Sequence, residues 1–400
     1  MSWVVDTSNG VSRVRLWEGD CLDAMRALPD NSIDAVITDP PYGLTDLPPS
    51  KVSAALLAWL GGDRGHVPSG RGMMGREWDR FVPPPAVWDE CLRVLKPGGH
   101  LAAFAGSRTV DLMGLSIRLA GFTLKDTLGY LYGSGMPKGQ SMSTALRKTD
   151  AENADKWDGW HTQLKPAIEP IVLAFKPVSE KSIAGNVVKH GTGAMHTDAC
   201  RVGDVARVNP PGSTNPRVAM GDGWRDDAEP THVVGRFPAN VICDESAAAE
   251  LDLQSGDLTS GKGGVKYSTE NAVYGKDNRP AGTPFFGYDD TGGASKFFYT
   301  AKASRNERPK YTNAEGVVVQ HISVKPLSLM SWLCKLLTPD GGTILDPFSG
   351  SGTTVEAAIL GGYSVVSSEG YAPYIPLVEQ RITRAGMSCS VDETCASRGA

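Results

Sequence analysis

A chain of 400 residues has room for one large α/β domain with an insertion, or for two domains. With 40% hydrophobic and 21% charged residues its composition is that of a globular protein, and no apolar run is long enough to span a bilayer. A net charge of -5 does not advertise a nucleic-acid binder but excludes none, because a local basic stripe counts for more than the total.

In chain order, Met1-Ser2-Trp3-Val4-Val5-Asp6 lacks the basic and apolar regions of a signal peptide. Val14 to Trp17 reads as a strand, followed by Gly19-Asp20 and a helix from Leu22 to Leu28, for which Asp20 is a suitable N-cap. Ile33 to Thr38 is the next strand, and it ends in Asp39-Pro40-Pro41-Tyr42. Residues 43–85 carry many Gly and Pro and little periodicity, the pattern of a long loop. Loops of that length are usually functional or disordered. Ala86 to Leu95 is helical and is stopped by Lys96-Pro97-Gly98-Gly99. Leu101 to Ala105 is a strand, Val110 to Ala120 a helix, and Phe122 to Tyr132 extended. This alternation predicts an α/β fold with a mostly parallel sheet covered by helices.

From about Val178 to Val317 the composition shifts to Gly, Asn, Asp, Pro and Ser, which predicts a separate, loop-rich module with short strands, part of Gly256–Thr291 being mobile. After Lys325-Pro326 the alternation returns. Leu327 to Leu337 is a helix, and Thr343 to Leu345 is a strand ending at Asp346. Thr353 to Leu360 is a helix and Ser364 to Ser367 a strand with Glu369 at its end. Tyr371 to Arg384 is a helix interrupted by Pro376, and the tail 385–400 is expected to be disordered. The seven cysteines are scattered without a C-x-x-C pair, which points to reduced thiols in the cytoplasm and to neither a zinc site nor a disulfide framework.

Two motifs carry chemistry. In the turn Asp39-Pro40-Pro41-Tyr42 the Asp39 carboxylate and the Pro40 carbonyl are fixed acceptors, and Tyr42 offers a flat face, so the turn can grip a planar amino group. Asp346-Pro347-Phe348-Ser349-Gly350-Ser351-Gly352-Thr353-Thr354 lies between a strand and a helix, with acidic Glu369 after the following strand. That context fits a nucleoside cofactor, the glycines admitting the ligand and the acid accepting ribose hydroxyls. A dinucleotide site wants three glycines; this loop has two, preceded by Asp346. An acid there repels phosphate and attracts the ammonium group of S-adenosylmethionine. Asp20 could accept from the adenine amino group of such a cofactor. Lys302, Arg305, Arg308 and Lys310 form a basic stripe that either contacts DNA phosphates or is simply a solvated face, with Lys138 and Arg108 as further candidates. His190 and His196 read as solvated loop residues, and no metal is expected.

With both motifs in place the chain resembles the β class of DNA amino-methyltransferases, the adenine-N6 and cytosine-N4 enzymes in which Asp-Pro-Pro-Tyr precedes the cofactor loop. In particular it resembles phage and prophage site-specific DNA methylases. Matching stretches include Asp20–Tyr42, Glu77-Trp78-Asp79, Arg93–Gly99, Gly133–Lys138, Leu164–Pro177, Gly235–Asn240, Ala294–Arg308 and Lys325–Arg384. Departures are His321-Ile322-Ser323-Val324 where the family often has His-Pro-Thr before its Lys-Pro, and Ile168 where a His is common before Glu169-Pro170. The resemblance implies a doubly wound methyltransferase fold of circularly permuted motif order. Its catalytic half would be 1–177, a target-recognition region 178–317 and a cofactor-binding half 318–384. It implies that Asp39, Pro40, Pro41 and Tyr42 are catalytic. Asp346, Phe348, Gly350, Gly352 and Thr353 would surround the methionine part of S-adenosylmethionine, with Lys325 nearby. Glu369 would hold the ribose, and Asp20 with Cys21 the adenine edge. Double-stranded DNA is the implied partner, in a bacterial or phage-infected cell; a homodimer and a cognate restriction endonuclease are both open.

The expected reaction is direct methyl transfer to the N6 of a flipped-out adenine, with the two acceptors localising the nitrogen lone pair. An acidic first residue, Asp39, favours adenine, because cytosine-N4 enzymes more often carry Ser or Thr there. Cytosine-N4 transfer is the alternative, followed by a non-catalytic DNA-binding protein of the same fold.

Overall fold

The computed structural model describes residues 2–389, apart from 45–46, 71, 73–76, 136, 138, 210–230, 266–269, 272–274, 277–283 and 303–306. Ten strands form one sheet: β1 (Ser2–Ser8), β2 (Arg13–Glu18), β3 (Ile33–Thr38), β4 (Leu95–Phe104), β5 (Thr123–Leu131), β6 (Ile168–Phe175), β7 (Val241–Asp244), β8 (Tyr299–Ala301), β9 (Thr343–Asp346) and β10 (Ser364–Glu369). Their spatial order is β1-β2-β10-β9-β3-β4-β6-β5-β7-β8. Neighbours are parallel except β1 with β2 and the two pairs made by β6.

Helices cover both faces, as the doubly wound expectation requires. One core joins Ala35, Ile37 and Phe104 of the sheet to α5 (Leu327–Leu337), α6 (Thr353–Leu360) and α7 (Ile375–Arg384). The other joins Val36, Leu101 and Ala103 to α1 (Cys21–Arg26), α2 (Pro49–Leu60), α3 (Pro85–Val94) and α4 (Val110–Leu119) through Met25, Trp59, Trp88 and Met113. Every residue of β3 is buried, which is why Ile33–Thr38 reads as a near-continuous apolar run.

Several elements differ from the sequence expectation. Helix α2 lies inside the stretch read as a loop. Pro49 occupies its first turn, where a missing N–H costs nothing, and the flanking Gly and Pro mask the Ala- and Leu-rich run after it. Lys96-Pro97-Gly98-Gly99 belongs to β4, which starts directly at Leu95. Pro376 sits in the first turn of α7 and so begins that helix. Strand β1 has no counterpart in the sequence expectation; its buried Val5 packs in the first core. The segment 178–317 is less separate than its composition suggests, since β7 and β8 extend the main sheet beyond β5. Of the tail, residues 390–400 lie outside the described residues, as do parts of Gly256–Thr291.

The connections create a crevice. The chain leaves β3 through α2 and α3 to reach β4 on one side, and leaves β9 through α6 to reach β10 on the other. Because β3 and β9 are neighbours, this is a topological switch point, and the space beyond their carboxyl ends is where open α/β sheets bind ligands.

Candidate active site

Two tethers hold the turn that follows β3. Pro40 and Pro41 have no N–H, so Tyr42 and Gly43 carry the first donors after Asp39. Both donate to Asp79 Oδ1, each at 2.9 Å. Asp79 is only 3% exposed and sits in a short 3-10 turn, Glu77–Asp79. The Thr109 hydroxyl donates to the Tyr42 carbonyl at 2.6 Å. Gly43 has φ 64°, and a Cβ there would lie 2.7 Å from the Val82 nitrogen, so the position requires glycine on both counts.

Asp39 meets a buried cation. Its Oδ2 lies 2.7 Å from Lys325 Nζ, which is also 3.2 Å from Glu169 Oε2. The Tyr42 hydroxyl donates to the same Glu169 oxygen at 3.3 Å. The Lys325 side chain is 6% exposed, and its ammonium lies 5.3 Å from the centre of the Tyr42 ring and 5.0 Å from that of Phe104. Burial works to depress the Lys325 pKa, but Asp39 and Glu169 outweigh it and raise the pKa, which keeps the cation charged. Burial, reinforced by Asp39 and Glu169, also pushes the Tyr42 phenol well above its ordinary value, so it remains a neutral donor.

The glycine loop is tied to the same place. The Thr38 hydroxyl, at the end of β3, donates to Asp346 Oδ1 at 2.7 Å, and the Phe348 N–H donates to that oxygen at 3.2 Å. Asp346 is 1% exposed, and burial raises its pKa to about 6. Glu369, 8% exposed, accepts from the N–H groups of Gly350 and Tyr371 at 2.7 Å each, and burial pushes its pKa up to about 7. Gly350 and Gly352 have φ of 53° and 78°, the left-handed conformation in which glycine is favoured. Asp20 caps α1 by accepting from the Leu22 N–H at 2.7 Å, and burial pushes the adjacent Cys21 thiol up to about 12.

One cavity of about 1160 Å³ lies between the two motifs. Its lining includes Asp39, Pro40, Pro41 and Tyr42 from the first motif, with Asp20, Cys21, Phe348, Gly350 and Glu369 from the expected cofactor set. Lys325, Asp346, Gly352 and Thr353 do not line it; Asp346 stands behind Phe348, and the Thr353 hydroxyl is buried against that of Ser351 at 3.0 Å. Single-ligand pockets usually hold roughly 300–1,000 Å³, so this one is large enough for a nucleoside cofactor. The walls carry Asp20, Asp39, Glu77, Asp79, Glu169 and Glu369 against Arg108 and Lys165. That excess of acid, with aromatic faces from Phe348, Tyr371 and Tyr374, fits a cationic nucleoside cofactor such as S-adenosylmethionine and disfavours a polyphosphate.

Lys302, Arg308 and Lys310 are exposed and lie outside the cavity lining. Lys310 is tied to elements beside it. The Lys310 carbonyl accepts from Gln380 of α7 at 3.3 Å, and Tyr311 donates to the Pro373 carbonyl at 2.9 Å, beside the lining residue Tyr374. Arg305 and Lys138 lie outside the described residues. Arg108 lines the cavity. Sequence reasoning gives no role to Asp79 or Glu169. For Glu169 the available signal is a carboxylate opening an otherwise apolar strand, Ile168–Phe175.

A family model described as DNA methylase, of the N6/N4 methyltransferase type, matches residues 33–380. The Type II methyltransferase M.HindIII of Haemophilus influenzae is 25% identical over 368 residues, covering 86% of each chain. Among solved structures, the PvuII DNA methyltransferase, cytosine-N4-specific, aligns with a TM-score of 0.46 and 12% identity over 100% of this chain and 94% of its own. A DNA modification methylase of Thermus thermophilus, TTHA0409, complexed with S-adenosyl-L-methionine, aligns with a TM-score of 0.42 and 16% identity over 94% and 99%.

Proposed function

The chain belongs to the N6/N4 family of DNA methylases, and from that premise we propose that it methylates the exocyclic N6 of an adenine flipped out of double-stranded DNA. The strongest support is geometric: the Asp39–Tyr42 turn and the Phe348–Gly350 loop, far apart in sequence, face one cavity at the ends of adjacent strands. S-adenosylmethionine, when bound, supplies the electrophilic methyl group. Glu369 and Asp20 would hold its nucleoside part, and Phe348 and Gly350 would lie beside its methionine part. Asp346 would act from behind, by fixing the Phe348 backbone and adding negative charge.

The amino nitrogen of adenine is a poor nucleophile because its lone pair is delocalised into the ring. The Asp39 carboxylate and the Pro40 carbonyl accept hydrogen bonds from its two N–H groups, draw the nitrogen towards tetrahedral geometry and stabilise the positive charge that develops there. Asp39 is the acceptor through which the methylated nitrogen gives up one proton to solvent. The Tyr42 ring, anchored through its hydroxyl on Glu169, offers the base a fixed face. The target atom is unreachable inside a duplex, so the base leaves the stack to enter the cavity. Lys302, Arg305, Arg308 and Lys310 would contact phosphates, and the segment 178–317 would read the sequence.

The test is to incubate unmethylated DNA with labelled cofactor and digest it to nucleosides. N6-methyladenine is expected. N4-methylcytosine in its place would move the target to cytosine, and unlabelled DNA would overturn the assignment of activity. Asp39→Ala should lower transfer by about 10²–10³-fold, the cost of losing one oriented charge-stabilising group.

A further inference from the structure

Lys325 was expected beside the cofactor, yet its ammonium lies on Asp39. We propose that Lys325 and Glu169 are positioning residues: Lys325 pins one oxygen of Asp39 and leaves the other for the amino group, and Glu169 limits how strongly Lys325 draws on Asp39. The inference rests on the methyl-transfer function proposed above.

A carboxylate that grips an amino hydrogen has to keep an oxygen lone pair aimed at one point. At 2.7 Å from Lys325 Nζ, Asp39 Oδ2 is committed, which leaves Oδ1 as the oxygen to present. A buried ammonium is held charged only by opposite charge close by, and here two carboxylates provide it. A lone Asp39–Lys325 pair would be neutral, with the electron density of Asp39 drawn towards the lysine. Glu169, 3.2 Å from the same ammonium, divides that pull and brings the trio to a formal charge of minus one. That sign suits a nitrogen that becomes cationic as it is methylated. The Tyr42 hydroxyl on Glu169 ties the clamp, the stacking face and the counter-charge into one unit. The groups facing Asp39 come from every element packed around it: Lys325 ahead of α5, Glu169 at the start of β6, Tyr42 of its own turn, His321 of the loop before Lys325, and Asp346 at the end of β9.

The experiment is a pH–rate profile of methyl transfer for the full chain and for Lys325→Met, Lys325→Arg and Glu169→Gln, with kcat and the KM for S-adenosylmethionine measured separately. Removing a cation beside a carboxylate makes it easier to protonate, and removing an anion makes it harder. The acid limb of kcat should therefore move to higher pH in Lys325→Met and to lower pH in Glu169→Gln, each by about one unit. Lys325→Met should also lower kcat by about 10²-fold, with KM for the cofactor changed less than about 2-fold. Lys325→Arg should keep the acid limb in place. Acid limbs that stay put, or move in the same direction, overturn the proposal. So does a Lys325→Met variant that raises the cofactor KM and leaves kcat intact, which would make Lys325 a cofactor ligand. If Lys325→Met does not fold, the Glu169→Gln shift decides, because that variant keeps the Asp39 ion pair. A wild-type chain that methylates DNA while its variants fail these shifts refutes this inference alone; a wild-type chain without transfer refutes the functional reading on which it stands.

Discussion

Asp346 and Glu369 hold their protons to about pH 6 and 7, because burial penalises their charged forms. Their ordinary values are 3.8 and 4.5, so the folded chain binds protons that the unfolded chain has released. The contribution to stability is full below the ordinary values and is lost as pH rises through the folded ones. The ligand-free chain should therefore lose denaturation free energy between about pH 4 and 7 from these two groups, and Glu369→Gln should flatten part of that slope in urea titrations at several pH values. A cationic ligand reverses the balance by favouring the charged carboxylates. Binding of S-adenosylmethionine should release protons and tighten from about pH 6 to pH 8, which calorimetry in buffers of different ionisation enthalpy would record. Tightening that is equally strong in Glu369→Gln would assign the effect to another group.

At the scale of elements, the turn after β3 depends on a partner far from it in sequence. Asp79→Ala removes the acceptor for the buried Gly43 N–H and the half-buried Tyr42 N–H. It should cost about 2–4 kcal/mol in chemical denaturation and slow transfer through a misplaced clamp, with Asp79→Asn intermediate. Gly43→Ala should be comparably disruptive, because the new Cβ would meet the Phe81–Val82 backbone. The strands β2, β3, β9 and β10 and the two loops between them were legible in sequence, since each is a short apolar run closed by a Gly, Pro or Asp signal. Helix α2 was hidden because Gly- and Pro-rich neighbours diluted its periodicity. The order of the sheet was not legible, for a strand chooses its neighbour by pairing and not by chain position. That is also why Glu169 escaped notice. It acquires a role only when antiparallel β6 inserts between β4 and β5 and its first residues reach Lys325. The basic stripe was legible as a local cluster of charge, yet Lys302, Arg308 and Lys310 do not line the cavity.

At the scale of the molecule, α7 is locked onto α6 by buried charge. Glu356 of α6 pairs with Arg381 and Arg384 of α7, Arg381 being wholly buried. Arg381 also donates to the Glu307 carbonyl at 2.7 Å, while the Glu307 carboxylate accepts from the Leu327 N–H at 2.9 Å. One cluster thus joins α5, α6, α7 and the end of the inserted segment. Glu356→Ala would strand Arg381 without its acid, and denaturation should show a loss of about 3–5 kcal/mol. Glu356→Gln, which can still accept a hydrogen bond, should lose less.

The pairing of β3 with β9 also bears on how the protein is made. A ribosome delivers Thr38 roughly 15–60 s before Thr343, at about 5–20 residues per second. Throughout that interval the edges of β2 and β3 that will later receive β10 and β9 have no native neighbour, and β3, buried along its whole length in the finished fold, lacks its cover. Such an open edge is a template for pairing with other chains. Yield should therefore depend on translation speed, temperature and holdase chaperones more steeply than the stability of the finished fold would suggest.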